Sequence, residues 1–347
     1  MTKPSVLFIV GPTASGKSAL AVALAKKLNG EIVSADSMLV YKGMDIGTAK
    51  PTKKERFGIP HHGFDLIPPT KSFSVFAFRQ FALKAIRDIA RRGKIPIVAG
   101  GTGFYVRALL EGLLPLPGAQ AAIRRELERE ARGKGLPALY RRLLKLDPLR
   151  AKAIGPHNQR RIIRALEIYL VSGNKPSQAR SRAPGLEALG FKPIVIGIHR
   201  NREALYQKIN RRVDAMFCKG LVREVKQLSH KKLSKTSLQG VGYKETLDWI
   251  RNNSAKPLEE VKDRIKQTTR HFAKRQWTWF KRERGLQWVW WPENATLAQV
   301  RNFIMIRFLE QTTFSNRIKD GGRRMAKSRG MRHPSSFLQY RGVCAAR

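Results

Sequence analysis

The chain has 347 residues, with 68 Lys and Arg against 25 Asp and Glu, a formal net charge of +43. An excess of that size, spread along the chain, suits a polyanionic partner, and nucleic acid is the commonest one. Two cysteines, Cys218 and Cys344, exclude a disulfide framework or a cysteine-built zinc cluster. No apolar run is long enough to cross a bilayer, and Met1-Thr-Lys-Pro lacks the layout of a signal peptide, so a soluble, cytoplasmic protein is expected.

The apolar run Val6–Val10 predicts a buried strand, and a helix is predicted from Lys17, with Ala19, Leu20, Ala23, Leu24 and Leu28 at helical spacing. Between them lies Gly11-Pro12-Thr13-Ala14-Ser15-Gly16-Lys17-Ser18, the pattern G-x-x-x-x-G-K-S. Its glycines let backbone N–H groups approach phosphate oxygens, the following helix start adds partial positive charge, Lys17 adds a full one, and the Ser18 hydroxyl can ligate Mg²⁺. A phosphate-binding loop follows from these features, and nucleotide binding is the default use of such a loop.

The next strand, Glu31–Ala35, ends in Asp36 and Ser37. A carboxylate at the carboxyl end of a strand beside such a loop points into the crevice where open α/β sheets bind ligands. It could hold Mg²⁺, act as a base toward a second substrate, or cap a following helix. After a loop over 41–60, His61 and His62 lack further His or Cys neighbours, so no metal ligation is expected there. A helix over 74–92 presents Phe78, Phe81, Ala82, Ala85 and Ile89 to a core. The strand Ile95–Ala99 then ends in Gly100-Gly101-Thr102-Gly103, without the carboxylate that nucleotide hydrolysis wants. Thr102 can donate to a developing negative charge, cap the helix over 104–110, or do both.

Leu114–Gly118 reads as a linker, and helices follow over 121–132, 137–146 and 158–171. Residues 119–192 carry 17 Lys and Arg against 6 Asp and Glu. This stretch is predicted to be a basic helical subdomain inserted between core segments 1–118 and 193–310. The strand over 193–198 returns to the sheet, and a helix over 203–219 turns Leu205, Ile209, Val213 and Phe217 inward, with Cys218 expected in the core. Gly242 hinges the entry to another helix. A long helix over 258–284 interleaves Arg270, His271, Lys274, Arg275 and Gln276 with Trp277, Trp279 and Phe280, which suits phosphate contact and base stacking. Trp288–Trp290 predicts a short closing strand. From Gln311 the pattern lapses, and residues 311–347 read as a disordered basic tail. The fold class is therefore α/β, a P-loop NTPase-like parallel sheet with flanking helices and an inserted helical subdomain.

The loop Gly11–Ser18, the stretch Ser34-Ala-Asp-Ser-Met-Leu-Val-Tyr-Lys-Gly-Met-Asp-Ile-Gly-Thr-Ala-Lys-Pro51, and Gly100-Gly-Thr-Gly-Phe-Tyr105 resemble the tRNA dimethylallyltransferase family. Gln159-Arg160-Arg161, Val241-Gly-Tyr-Lys-Glu245 and Ala273-Lys-Arg-Gln-Trp-Thr-Trp-Phe280 match in the same order, so the resemblance spans roughly residues 5–310. It implies dimethylallyl transfer from dimethylallyl diphosphate to N6 of the adenosine 3′ of the anticodon in tRNA. It implies Asp36 as the base, Thr102 beside the reacting atoms, Lys17 and Arg212 on the diphosphate, and Mg²⁺ at Ser18. The implied tRNA contacts, to the anticodon stem-loop, are Asp36, Ser37, Met38, Leu39, Thr102, Arg124, Gln159, Arg160, Arg161, Ile162, Ile163, Gly242, Tyr243, Lys274 and Arg275. Family members often differ at Gln239-Gly240, which leaves contacts there open. A monomer is expected. A small-molecule kinase, a prenyltransferase acting on free adenine nucleotides, and a non-enzymatic RNA-binding protein are the rival readings.

Overall fold

The computed structural model describes residues 3–179, 182–252 and 257–317. Contacts divide the chain into two compact units, one of residues up to Leu110 together with those from Leu186 onward, the other Glu111–Gly185.

The first unit is built on a six-stranded sheet. In chain order its opening elements are β1 (Ser5–Val10), α1 (Lys17–Lys27), β2 (Gly30–Ser34), β3 (His61–His62), α2 (Val75–Arg91), β4 (Ile95–Gly100) and α3 (Gly103–Leu110). The second unit then supplies α4 (Ala121–Gly133), α5 (Leu136–Leu146), α6 (Pro148–Ile154) and α7 (Gln159–Ser172). The chain returns to the first unit with β5 (Lys192–His199), α8 (Arg202–Cys218), α9 (Leu221–Ser229), α10 (Tyr243–Arg251), α11 (Leu258–Phe280), β6 (Gln287–Trp290) and α12 (Leu297–Arg317). The strand order is β3-β2-β4-β1-β5-β6, and every pairing is parallel.

The strands are apolar on both faces because helices cover both faces. Val6, Phe8, Val10, Val33 and Val98 point to one side, where Phe78, Ile86 and Ile89 of α2, Val106 of α3 and Phe280 of α11 close the layer. Leu7, Ile9, Ile32, Ile97 and Ile196 point to the other, against Leu20 and Leu24 of α1 and Val300, Ile304 and Phe308 of α12. A third cluster joins the loop after β2 to the helices that follow β5, with Val40, Tyr41 and Met44 packed on Met216, Leu221, Val225, Tyr243 and Leu247. Because β4 lies between β1 and β2, the loops leaving the carboxyl ends of β1, β2 and β4 converge on one crevice.

The second unit has its own core of Leu127, Leu139, Leu143, Ile162 and Leu166. Its buried carboxylate, Glu167, accepts from the Gln120 N–H at 2.7 Å, from Arg124 at 2.6 Å and from Arg164 at 3.0 Å.

Several expectations need correction. The pattern of apolar residues did not predict α6, α9 and α12. The first of these is short, and the second follows α8 after the left-handed Gly220. The third carries apolar residues around much of its girth, with Ile306 and Leu309 exposed beside the buried Val300, Ile304 and Phe308, so its inward stripe is poorly marked. Because α12 runs to Arg317, residues 311–317 are helical rather than tail; residues 318–347 lie outside the described residues. Cys218 is exposed. It lies off the inward stripe of α8, which Ile209, Val213 and Met216 occupy.

Candidate active site

β1 gives way at Val10 to a turn that enters α1 at Lys17. Gly11 has φ 148°, and the Ile198 carbonyl oxygen lies 2.8 Å from where a Cβ would be. Gly16, the residue before α1, is left-handed at φ 95°. Both positions therefore require glycine. With Ala14 also left-handed at φ 61°, the alternation of hand gathers peptide N–H groups into a hollow that suits an anion.

Lys17 is buried at the floor of this hollow, and its Nζ donates to the Pro12 carbonyl at 3.2 Å. Burial pulls its ammonium down to about 8, with Asp36 opposing the shift and Arg212 adding to it. Arg212, half-buried on α8, donates from Nη2 to the Thr48 carbonyl at 2.9 Å, while Arg211 beside it is exposed. Burial lowers the Arg212 pKa and Asp36 pulls it back up. Two cations and one carboxylate thus meet at the loop. A cavity of about 700 Å³ opens there, lined by Lys17, Ser18, Val22, Phe57, Arg212 and Leu297 among others.

Asp36 stands one residue beyond the Ala35 N–H, which donates to Ala99 at 2.9 Å as the continuation of the β2–β4 pairing. No helix follows it; its Oδ1 accepts from the Met38 N–H at 2.9 Å and closes a turn. The helix-capping alternative is therefore excluded. Thr102 is laced to the same segment. Its N–H donates to the Ala35 carbonyl at 3.1 Å, and its Oγ1 accepts from the Ser37 N–H at 3.0 Å and donates to Ser37 Oγ at 3.3 Å. Gly100 is needed beneath this lacing, since a Cβ there would collide with the Ala35 backbone. A carboxylate and a hydroxyl are thereby held side by side at the ends of adjacent strands, with Ser37, Met38 and Leu39 half-exposed at the lip.

Sequence reasoning missed two residues that hold this arrangement. Gln276, grouped with the basic face of α11, is buried: Oε1 accepts from the Thr13 N–H at 2.8 Å and Nε2 donates to the Gly101 carbonyl at 2.9 Å. One amide thus ties the phosphate loop to the segment that carries Thr102. The available signal was its spacing, three residues beyond Ala273 and four before Phe280, on the buried stripe of α11. Glu224 of α9 was also missed. Its carboxylate accepts from the consecutive N–H groups of Asp45, Ile46 and Gly47 at 2.9, 2.8 and 3.2 Å, and from the Tyr243 hydroxyl at 2.6 Å. That carboxylate fixes the loop whose Thr48 carbonyl receives Arg212.

Some assigned tRNA contacts take other roles. Tyr243 is 1% exposed with its hydroxyl on Glu224 and serves the scaffold of the 45–48 loop, while the Gly242 N–H donates to Glu245 at 2.9 Å and caps the start of α10. Ile162 and Ile163 are buried in the core of the second unit, which leaves their side chains no access to RNA. Gln159, Arg160 and Arg161 are exposed on the first turn of α7, whereas Arg124 is paired with Glu167. Lys274 and Arg275 are exposed on α11, opposite Gln276.

The residues present also suit a divalent ion. Ser18 is exposed and lines the cavity, and among the described residues no three His, Cys, Asp or Glu side chains come together. A single hydroxyl beside a phosphate cradle matches the way Mg²⁺ is held, by few protein ligands and the substrate's own phosphate oxygens.

Comparison with known proteins bears on what this crevice does. A family model described as IPP transferase matches residues 39–283, and another described as isopentenyl transferase matches residues 4–59. The chain is 45% identical over 305 residues to the tRNA dimethylallyltransferase of Geobacter metallireducens, covering 87% of this chain and 98% of that one. It is 46% identical over 299 residues to tRNA dimethylallyltransferase 1 of Pelobacter propionicus, covering 85% and 96%. Among solved structures, a tRNA isopentenylpyrophosphate transferase from Bacillus halodurans matches with a TM-score of 0.66 at 40% identity, covering 90% of this chain and all of that one. A eukaryotic dimethylallyltransferase crystallised acting on tRNA matches with a TM-score of 0.73 at 31% identity, covering 90% and 80%.

Proposed function

The chain belongs to the IPP transferase family, and from that membership we propose that it moves a dimethylallyl group from dimethylallyl diphosphate to N6 of the adenosine 3′ of the anticodon in tRNA. The observation that carries the reading is the meeting of Lys17, Arg212 and the glycine-shaped hollow with Asp36 and Thr102.

An allylic diphosphate reacts as its C1–O bond to the diphosphate breaks, so the negative charge to be stabilised grows on the leaving group. Lys17, Arg212 and the N–H groups of loop 11–18 receive that charge in a site already built to hold it. The adenine amine is a poor nucleophile because its lone pair is delocalised into the ring. As N6 bonds to C1, the Asp36 carboxylate takes a proton from N6, and the products are N6-dimethylallyladenosine and pyrophosphate. Thr102, fixed by the Ser37 N–H, would turn its one hydroxyl proton from Ser37 Oγ to the oxygen that departs. Ser18 would hold Mg²⁺, which when bound neutralises diphosphate charge.

The adenosine must leave its stack to reach the crevice, at a cost of about a few kcal/mol. Basic groups supply binding energy that offsets it, Arg160 and Arg161 on α7 with the Gln159 amide beside them, and Lys274 and Arg275 on α11. On this reading the chain acts as a monomer. A tRNA substrate supports action in the cytoplasm.

Incubation with labelled dimethylallyl diphosphate and, in turn, tRNA, AMP and ATP tests the reading. Label is expected in tRNA alone, at the anticodon-adjacent adenosine. Label in AMP or ATP, or phosphoryl transfer from ATP with no prenylated tRNA, would overturn it.

A further inference from the structure

Loop 11–18 is gripped from behind by a pair of residues that none of the roles above includes. Arg200 follows β5 directly, is 5% exposed, and donates from Nε to the Ser15 carbonyl at 2.8 Å. Its guanidinium lies over Trp291, 3.9 Å from the ring centroid. Trp291 is fixed in turn, with its indole N–H donating to the Ala295 carbonyl at 2.9 Å and its backbone N–H to the His199 carbonyl at 2.8 Å. The same two side chains wall the back of Gly16: Trp291 Cζ3 is 3.0 Å, and Arg200 Nη2 3.5 Å, from where a Cβ would be.

In a planar trans peptide the C=O and the next N–H point in opposite directions. A Ser15 carbonyl held inward on Arg200 therefore turns the Gly16 N–H outward, toward the hollow. We propose that Arg200, stacked on Trp291, is a positioning residue that orients the Gly16 N–H for the diphosphate and sets a positive charge behind the cradle. Burial pulls the Arg200 pKa down only to about 10, with Glu293 holding it up, so the charge is present at neutral pH. The inference rests on the assignment of loop 11–18 to the diphosphate.

Calorimetric titration of the full-length protein with inorganic pyrophosphate and Mg²⁺ tests it, alongside KM for each substrate, in wild type, R200Q, R200K, W291L and K17A. R200Q is expected to weaken pyrophosphate binding, and to raise KM for dimethylallyl diphosphate, by about ten-fold or more. KM for tRNA should stay within about two-fold, a split that a general loss of stability does not produce. R200K, which keeps the charge but not the planar fork, should fall between wild type and R200Q. W291L should show a smaller loss in the same direction, and it serves in place of R200Q if that variant does not fold. Pyrophosphate affinity within about two-fold of wild type in folded R200Q and W291L, or tRNA KM rising in step with the diphosphate KM, would overturn the proposal. Equal pyrophosphate affinity in wild type and K17A would sink the assignment of loop 11–18 itself.

Discussion

The two loops that meet in the crevice are held in opposite ways. Loop 11–18 is gripped by two of its carbonyls, Pro12 by Lys17 and Ser15 by Arg200, while two of its N–H groups are taken, Thr13 by Gln276 and Ser15 by the Pro12 carbonyl at 3.4 Å. The loop after β2 is gripped largely by its N–H groups: Ser37 on Thr102, Met38 on Asp36, and Asp45, Ile46 and Gly47 on Glu224. A loop held by its carbonyls keeps N–H groups for an anion. A loop whose N–H groups are already satisfied presents side chains instead, and here the side chain presented is a carboxylate. On the proposed reading, the manner of support thus separates the part that would hold the leaving group from the part that would take the proton.

The sharpest way to break that division is at Asp36. Asp36→Ala should lower single-turnover prenyl transfer by about 10²–10⁴-fold, the usual worth of a positioned general base. Affinity for pyrophosphate and for tRNA should stay within about three-fold, measured by calorimetry and filter binding. Equal loss of turnover and affinity would remove the base from the mechanism.

Lys17 probes the other half. Lys17→Ala should raise KM for dimethylallyl diphosphate by about ten-fold to a hundred-fold, as expected when a charged hydrogen bond is removed, with tRNA KM unmoved. The wild type carries a pH signature of the same group. Its ammonium is depressed to about 8, so it is charged at pH 7 and loses its proton as pH rises through that value. The kcat/KM for the diphosphate should therefore fall above about pH 8 in wild type. The K17A profile should lack that limb, and a limb that persists there belongs to another group.

Glu224 sharpens the contrast from the supporting side. Glu224→Ala strands three N–H groups and the Tyr243 hydroxyl, and should cost about 1–3 kcal/mol of unfolding free energy by urea denaturation. Because the Thr48 carbonyl that receives Arg212 moves with this loop, kcat should also fall while Lys17-dependent pyrophosphate binding survives. Glu224→Gln keeps acceptor oxygen but less capacity, and should be milder in both respects.

What the sequence disclosed follows the same split. β1, the glycine turn and α1 form one contiguous stretch with a strong local pattern, so the phosphate loop was legible residue by residue. Asp36 was legible as a carboxylate at a strand end, but whether it capped a helix was not, because that depends on the turn closed by the Met38 N–H. Gln276 and Glu224 left little trace, since their partners lie far away in the chain, 263 residues for Thr13 and 179 for Asp45. Tyr243 misled for another reason: the family resemblance carried it over as a tRNA contact, and its burial against Glu224 is set by a separate helix that no local pattern reveals. The sheet was readable because apolar runs covered on both faces have only one place to go.

The smallest expected effect concerns RNA binding. Arg160 and Arg161 are exposed on the first turn of α7, and no acidic partner faces them among the salt bridges of the described residues. If they lie on phosphate, removing both should lower tRNA affinity similarly across substrate sequences and reduce the slope of log K against log salt by about 1–2, roughly one for each phosphate no longer neutralised. Lys274→Ala and Arg275→Ala on α11 should act in the same sense. Dimethylallyl diphosphate KM should not change in any of them, because no N–H or cation of the cradle is touched. A salt slope unaltered in the Arg160→Gln, Arg161→Gln double variant would move the RNA interface off α7, and a slope unaltered in the α11 pair would move it off that helix. The base at Asp36 would be unaffected by either result, which keeps recognition of the RNA backbone separable from the chemistry at its adenine.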